Sequence, residues 1–113
     1  MTTVFISYSR ADQARIDTLI HELQDLGLHV WIDRSGIRGG EQWRLEIVNA
    51  IQNCDVFLLC MSSASVASDN VRREVDIASG EGKQIIPLRL ENVQYPPEWK
   101  YQLAGVQWID HQD

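Results

Sequence analysis

No stretch of this chain approaches the roughly 18 consecutive apolar residues that a membrane-spanning helix needs. Its longest apolar run is VFLLCM, Val56 to Met61. Positive charge is scarce as well: ten Lys and Arg against sixteen Asp and Glu leave a net charge of −6 at pH 7. That balance argues against binding to nucleic acid or to an anionic membrane, both of which need a basic surface. A small anionic ligand stays open wherever local arginines offset the overall field. Cysteine is limited to Cys54 and Cys60, in or beside the apolar run. They read as reduced core thiols of a cytoplasmic protein rather than a disulfide. His21, His29 and His111 have no metal-ligand spacing with either cysteine, so no metal is expected. Missing too are G-x-G-x-x-G after the first strand-like run and Lys-Ser or Lys-Thr after Gly39-Gly40, which sets aside the usual dinucleotide fingerprint and the P-loop. A phosphoacceptor receiver needs an aspartate at the end of its third strand, where this sequence has Met61, Ser62 and Ser63.

What is present is enough for one globular domain. At 113 residues and 44% hydrophobic, the chain can bury a single core but not two. Val4 to Tyr8, VFISY, reads as a strand, and Asp12 as the cap of a helix in which Ile16, Leu19, Ile20, Leu23 and Leu26 recur at helical spacing up to Gly27. Leu28 to Ile32 is a second strand, followed by the glycine-rich loop Asp33 to Gln42 and a helix over Trp43 to Ile51. Val56 to Met61, apolar at every residue, fits a strand covered on both faces of a parallel sheet. Gln84 to Leu88 is a fourth strand that Pro87 is expected to end or place near an edge. Residues 91 to 103, with Pro96 and Pro97, read as irregular, and Val106 to Ile109 as a last short strand. This alternation predicts a doubly wound parallel α/β sheet. Met1 leads straight into the first strand, so no signal peptide is expected. The chain stops after the fifth strand, where a closing helix is expected, as in a module of a longer polypeptide.

One residue is out of place. In NVRREVDIA, Asn70 to Ala78, a helical period puts Val71, Val75, Ile77 and Ala78 on one arc and Arg72, Arg73 and Asp76 opposite. Glu74 falls inside the apolar arc, where a carboxylate costs desolvation energy unless something compensates it. The bland account is a carboxylate paired with an arginine or with the amino end of its own helix. Open parallel sheets, however, bind ligands at the carboxyl ends of their strands. There YSRAD, DRSGIRGGEQW and MSSASVASDNVRRE are expected to meet, and Glu74 belongs to the third of these segments.

Together these segments resemble the toll/interleukin-1 receptor (TIR) domain family. VFISYSRAD resembles its first box, and WIDRSGIRGGEQW resembles the long loop after the second strand, with Trp31, Asp33, Ile37, Gly40 and Trp43 in register. AIQNCDVFLLCMSSASVASDNVRREVDIA resembles the third strand and its following helix, and QIIPLRL and LAGVQWID resemble the later strands. The resemblance implies a three-layer, flavodoxin-like sheet of five parallel strands in the order 2-1-3-4-5 with helices on both faces.

It also implies one of two functions. Some members cleave the nicotinamide-ribose bond of NAD, giving ADP-ribose or a cyclic isomer. Others are non-catalytic adaptors that pair with TIR domains on partner proteins. In the first case NAD is the substrate, no further cofactor is needed, and Glu74 matches the family's catalytic glutamate. Implied substrate-binding positions are Ser9 and Arg10 after the first strand, Asp33, Arg34, Ile37, Arg38 and Trp43 in and after the long loop, and Ser62 and Asn70 near the third strand. Asn70 departs from catalytic relatives, which often carry an aromatic ring four positions before the glutamate. Hydrolysis is therefore expected over cyclisation. Enzymatic members also imply self-assembly, with other copies of the chain as partners, and fusion to a sensor or oligomerising domain in a defence or signalling protein.

Overall fold

A computed structural model describes residues 1–33 and 41–111, the side chains of 41–43 excepted. Five parallel strands form one sheet in the order β2-β1-β3-β4-β5: β1 (Thr3–Ser7), β2 (His29–Ile32), β3 (Val56–Met61), β4 (Ile85–Arg89) and β5 (Ile109–Asp110). The helices are α1 (Gln13–Asp25), α2 (Glu41–Asn53), the single turn α3 (Ser63–Val66), α4 (Asp69–Gly80) and α5 (Pro97–Gln102). The family's expected strand order is therefore present, and β3 has the bounds its unbroken apolar run predicts.

Strand alternation divides the core in two. Even-numbered Val4, Ile6, Leu58, Cys60 and Leu88 pack on Ile16 and Leu19 of α1. Odd-numbered Phe5, Phe57, Leu59, Met61 and Ile85 pack beneath Ile51 of α2, Val71, Val75 and Ala78 of α4, and Trp99 of α5. On this second face three rings stack across adjacent strands. Phe5 pairs in register with both Trp31 and Phe57, with centroid separations of 5.1 and 5.3 Å. These offset stacks fasten β2 to β1 and β1 to β3, each adding about 0.5–1.5 kcal/mol beyond area burial. Cys54 and Cys60 are buried free thiols, as their apolar surroundings imply.

Of four local expectations three are corrected, and that for Pro87 holds only in its second form. Pro87 does not end β4, which runs on to Arg89, although β4 does lie near an edge, next to the outermost strand β5. The Leu90 N–H donates to Met61 O, so alternation turns the Pro87 nitrogen away from β3. On that other side β5 pairs only from Leu88 onward, and the missing N–H leaves no gap in a ladder. Residues 97–102 are helical rather than irregular. Pro97 occupies the first turn of α5, where a missing N–H costs nothing. The last strand is Ile109–Asp110, later than expected, and it pairs alongside β4, with a hydrogen bond from His111 N to Arg89 O. Asp12 starts α1 without capping it by its side chain, which instead accepts a hydrogen bond from Ser62 Oγ.

Candidate functional site

The arc of α4 is as the sequence predicts: Val71, Val75 and Ala78 are fully buried, Arg73 and Asp76 are exposed, and Glu74 is buried with 4% of its surface accessible. Ser68 caps the helix by accepting from Val71 N, and this fixes the register that turns Glu74 inward. Burying each valine side chain of that stripe stabilises the domain by about 1.5–3 kcal/mol. The stripe therefore holds the carboxylate in place against its own preference for water.

Beneath Glu74 lies the end of β1. Ser7, two residues beyond Phe5 and on the same face, is fully buried, and its hydroxyl donates to Glu74 Oε1 at 2.7 Å. Asp33 stands two residues beyond Trp31, the ring partner of Phe5, so the β1-β2 register carries it to the same side as Ser7. Its carboxyl lies against that of Glu74. Glu74 Oε2 receives no hydrogen bond among the described residues. Burial first, then contact with the Asp33 carboxyl, pushes the Glu74 carboxyl well above its ordinary range, with the Ser7 hydroxyl pulling the other way. No arginine among the described residues offsets this charge.

Glu74 forms one wall of a cavity of about 220 Å³ whose other walls are Tyr8, Ser9, Arg10, Asp33, Ser68 and Asn70. It opens at the carboxyl ends of β1 and β2 and the start of α4, beside the point where strand order reverses between β1 and β3. Of the residues named from sequence, Ser9, Arg10, Asp33, Asn70 and Glu74 are brought together here. Ser62 is not among these walls: it is fully buried, donates to Asp12 and forms a reciprocal capping box with Ser65, so it belongs to the scaffold. Arg34, Ile37 and Arg38 lie outside the described residues, as does the side chain of Trp43. Among the described residues no cluster of His, Cys, Asp or Glu could hold a metal ion, and no helix is long and apolar enough to cross a membrane.

Ser7, Tyr8 and Ser68 were not legible as site residues. Ser7 had a signal in the two-residue period from Phe5, which places it on the α4 face. Tyr8 points its ring to the cavity and its hydroxyl to Gln13 at 2.9 Å; burial raises its phenol.

The family model described as "TIR domain" matches residues 4–113. The protein y4cD of Sinorhizobium fredii is 33% identical over 98 residues, 80% of this chain but 15% of that protein, so the chain spans a small part of this relative's length. Among solved structures, the TIR domain of the Toll-related receptor TRR-2 from Hydra magnipapillata superposes with a TM-score of 0.76 at 25% identity, over 95% of this chain and 82% of that one. The CMP N-glycosidase BcmB of Clostridium botulinum superposes with a TM-score of 0.71 at 26% identity, over 97% and 89%.

Proposed function

The chain belongs to the TIR domain family, and from that membership and the geometry of its cleft we propose that it hydrolyses NAD at the nicotinamide-ribose bond. The observation that carries this reading is a glutamate 4% exposed, held in a cavity wall with one oxygen lacking any hydrogen-bond donor among the described residues. Leaving a buried acceptor unsatisfied costs about 1–3 kcal/mol, a cost a fold tolerates at functional positions. BcmB supports the class of bond, since its name is that of an enzyme breaking a ribosyl C–N bond.

The nicotinamide of NAD is cationic when bound to ribose and departs neutral, so it needs no proton from the protein. As the C1′–N bond lengthens, positive charge gathers on the ribose as an oxocarbenium ion. The Glu74 carboxylate, in a poorly hydrated cleft where screening is weak, is placed to stabilise that charge. The cationic substrate itself favours the ionised form of Glu74. Ser7 holds the carboxylate by its Oε1. Arg10 is the cation on the cavity wall suited to a diphosphate. Water then adds to C1′, giving ADP-ribose.

The described walls enclose less than the roughly 300–1,000 Å³ of pockets that bury a drug-sized ligand. We therefore expect neighbouring copies to complete the site and turnover per molecule to rise with concentration. Concentrated protein incubated with NAD releases nicotinamide on this reading, and Glu74→Ala removes the release. A wild-type protein silent at every concentration and when fused to an oligomerising partner is instead the non-catalytic adaptor.

A further inference from the structure

The described walls of the cleft all come from one copy of the chain, and they suit half of NAD better than the whole. They enclose about 220 Å³. Pockets that bury drug-sized ligands hold roughly 300–1,000 Å³, and a dinucleotide is larger than such a ligand. Nicotinamide mononucleotide, the half that carries the scissile bond, has half of the non-hydrogen atoms of NAD. The charges of the cleft are also laid out for that half, running from a buried acid to an exposed cation. Glu74 is buried and fixed by the Ser7 hydroxyl and by the Ser68 cap of α4, with Oε2 lacking a donor among the described residues. Arg10 is exposed on the wall of the same cavity and makes no ion pair among the described residues. Its backbone is fixed in the 3₁₀ turn Arg10–Asp12, which Ser9 caps by accepting from Ala11 N at 3.3 Å. Tyr8 is the aromatic wall. Its hydroxyl donates to Gln13 at 2.9 Å and the Gln13 amide donates to Asp17 at 2.9 Å, so the ring is tethered beside the cavity, where an aromatic surface attracts a cationic ring.

We propose that a single copy of the chain hydrolyses nicotinamide mononucleotide, and that neighbouring copies are needed only for the adenylate half of NAD. The pyridinium lies by Tyr8, C1′ by the Glu74 carboxylate, and the 5′-phosphate at the rim on Arg10. The C1′–N bond breaks with its electron pair on the pyridine nitrogen, which cancels the charge of the ring, and nicotinamide departs neutral. The carboxylate faces the oxocarbenium ion left behind. Water adds to C1′ and gives up a proton to solvent, so the products are nicotinamide, ribose 5-phosphate and one proton. In NAD the second phosphate and the adenosine continue past Arg10, beyond the described walls of the cavity. The inference rests on the reading of the cleft as a site that breaks ribosyl C–N bonds, and it adds the substrate class that one copy handles alone.

The two substrates should differ in their dependence on assembly, and that is the test. Wild-type protein, from dilute to concentrated, is given nicotinamide mononucleotide or NAD, with nicotinamide release followed by chromatography and oligomeric state by sedimentation. Turnover of the mononucleotide per molecule stays constant where turnover of NAD rises, and it persists where the protein sediments as a monomer. Arg10→Ala lowers kcat/KM for the mononucleotide about 10- to 100-fold, the worth of a hydrogen bond between charged groups, and that for nicotinamide riboside, which has no phosphate, by less than about threefold. Mononucleotide turnover that climbs in parallel with NAD turnover overturns the inference, because a neighbour then completes the reacting centre itself. Flat turnover of both substrates overturns the part given to neighbouring copies, and equal losses on riboside and mononucleotide in the variant overturn the seat of the phosphate. NAD cleavage without mononucleotide cleavage overturns the inference and spares the NAD reading; mononucleotide cleavage without NAD cleavage does the reverse. Silence toward all three substrates at every concentration removes both readings together.

Discussion

Replacing Glu74 by Gln is expected to make the domain more stable and to stop its chemistry. The Gln amide keeps an oxygen for the Ser7 hydroxyl, which now donates to Glu74 Oε1 at 2.7 Å. Its NH₂ group faces the Asp33 carboxyl, so a contact between two acids becomes a hydrogen bond to a charged acceptor. Such a bond contributes about 1.5–3 kcal/mol. For a domain of this size that corresponds to a rise in Tm of about 6–12 °C, taking about 4 °C per kcal/mol. The pH dependence gives the sharper test. Burial and Asp33 raise the folded-state Glu74 carboxyl well above its ordinary value of 4.5. Between 4.5 and that raised value the folded chain holds more protons than the unfolded one, so wild-type stability falls as pH rises, by up to about 1.4 kcal/mol per unit. Below 4.5 both states are protonated and this loss is absent. The Tm of Glu74→Gln minus that of wild type should therefore be small at pH 4, grow as pH rises, and level off above the folded value. Thermal unfolding followed by circular dichroism from pH 4 to 8 measures it. A variant less stable than wild type at pH 7, or a difference that does not change with pH, refutes the picture of Glu74 as a buried, costly carboxylate.

Three further outcomes follow from the same contacts. Ser7→Ala removes the hydroxyl that favours ionised Glu74, so the rise of NAD cleavage with pH should move to higher pH and the rate at pH 7 should drop about 10-fold; an unmoved profile denies Ser7 its positioning role. Asn70→Trp places a ring at the exposed cavity wall one turn before Glu74, and chromatography of the products should show wild type giving linear ADP-ribose and the variant a larger cyclic fraction. Ile51→Ala empties space in the core shared by Phe5, Phe57 and Val75 and should cost about 2–5 kcal/mol in denaturant unfolding, where a loss under 1 kcal/mol contradicts the packing described.

The central strand and the helix of the site were legible because their patterns are one-dimensional. Val56–Met61 is unbroken apolar sequence, and the 3.6-residue period of α4 isolates Glu74 as the acid among apolar positions. What failed to show was anything set by partners distant in sequence. Ser7 and Glu74 are 67 residues apart, and the contact depends on a sheet register that no local pattern states. Asp12 carried a helix-cap signal but lies within reach of Ser62, whose hydroxyl won its carboxylate. Pro87 looked like a strand terminator because a proline's tolerance depends on which neighbour its nitrogen faces. The pair Pro96-Pro97 reads as a break, yet it is also how a short helix begins. The second carboxyl was named from sequence as a binding position. Its approach to Glu74 is a matter of the fold alone.

The central claim is that the Glu74 carboxylate, and not merely a folded cleft, breaks the ribosyl bond of NAD. The most direct measurement is nicotinamide release by wild type and Glu74→Gln at equal high concentration, with NAD binding to the variant followed by calorimetry. The account predicts turnover by wild type, a loss of at least about 100-fold in the variant, and NAD still bound by the variant. Equal release from both proteins contradicts it.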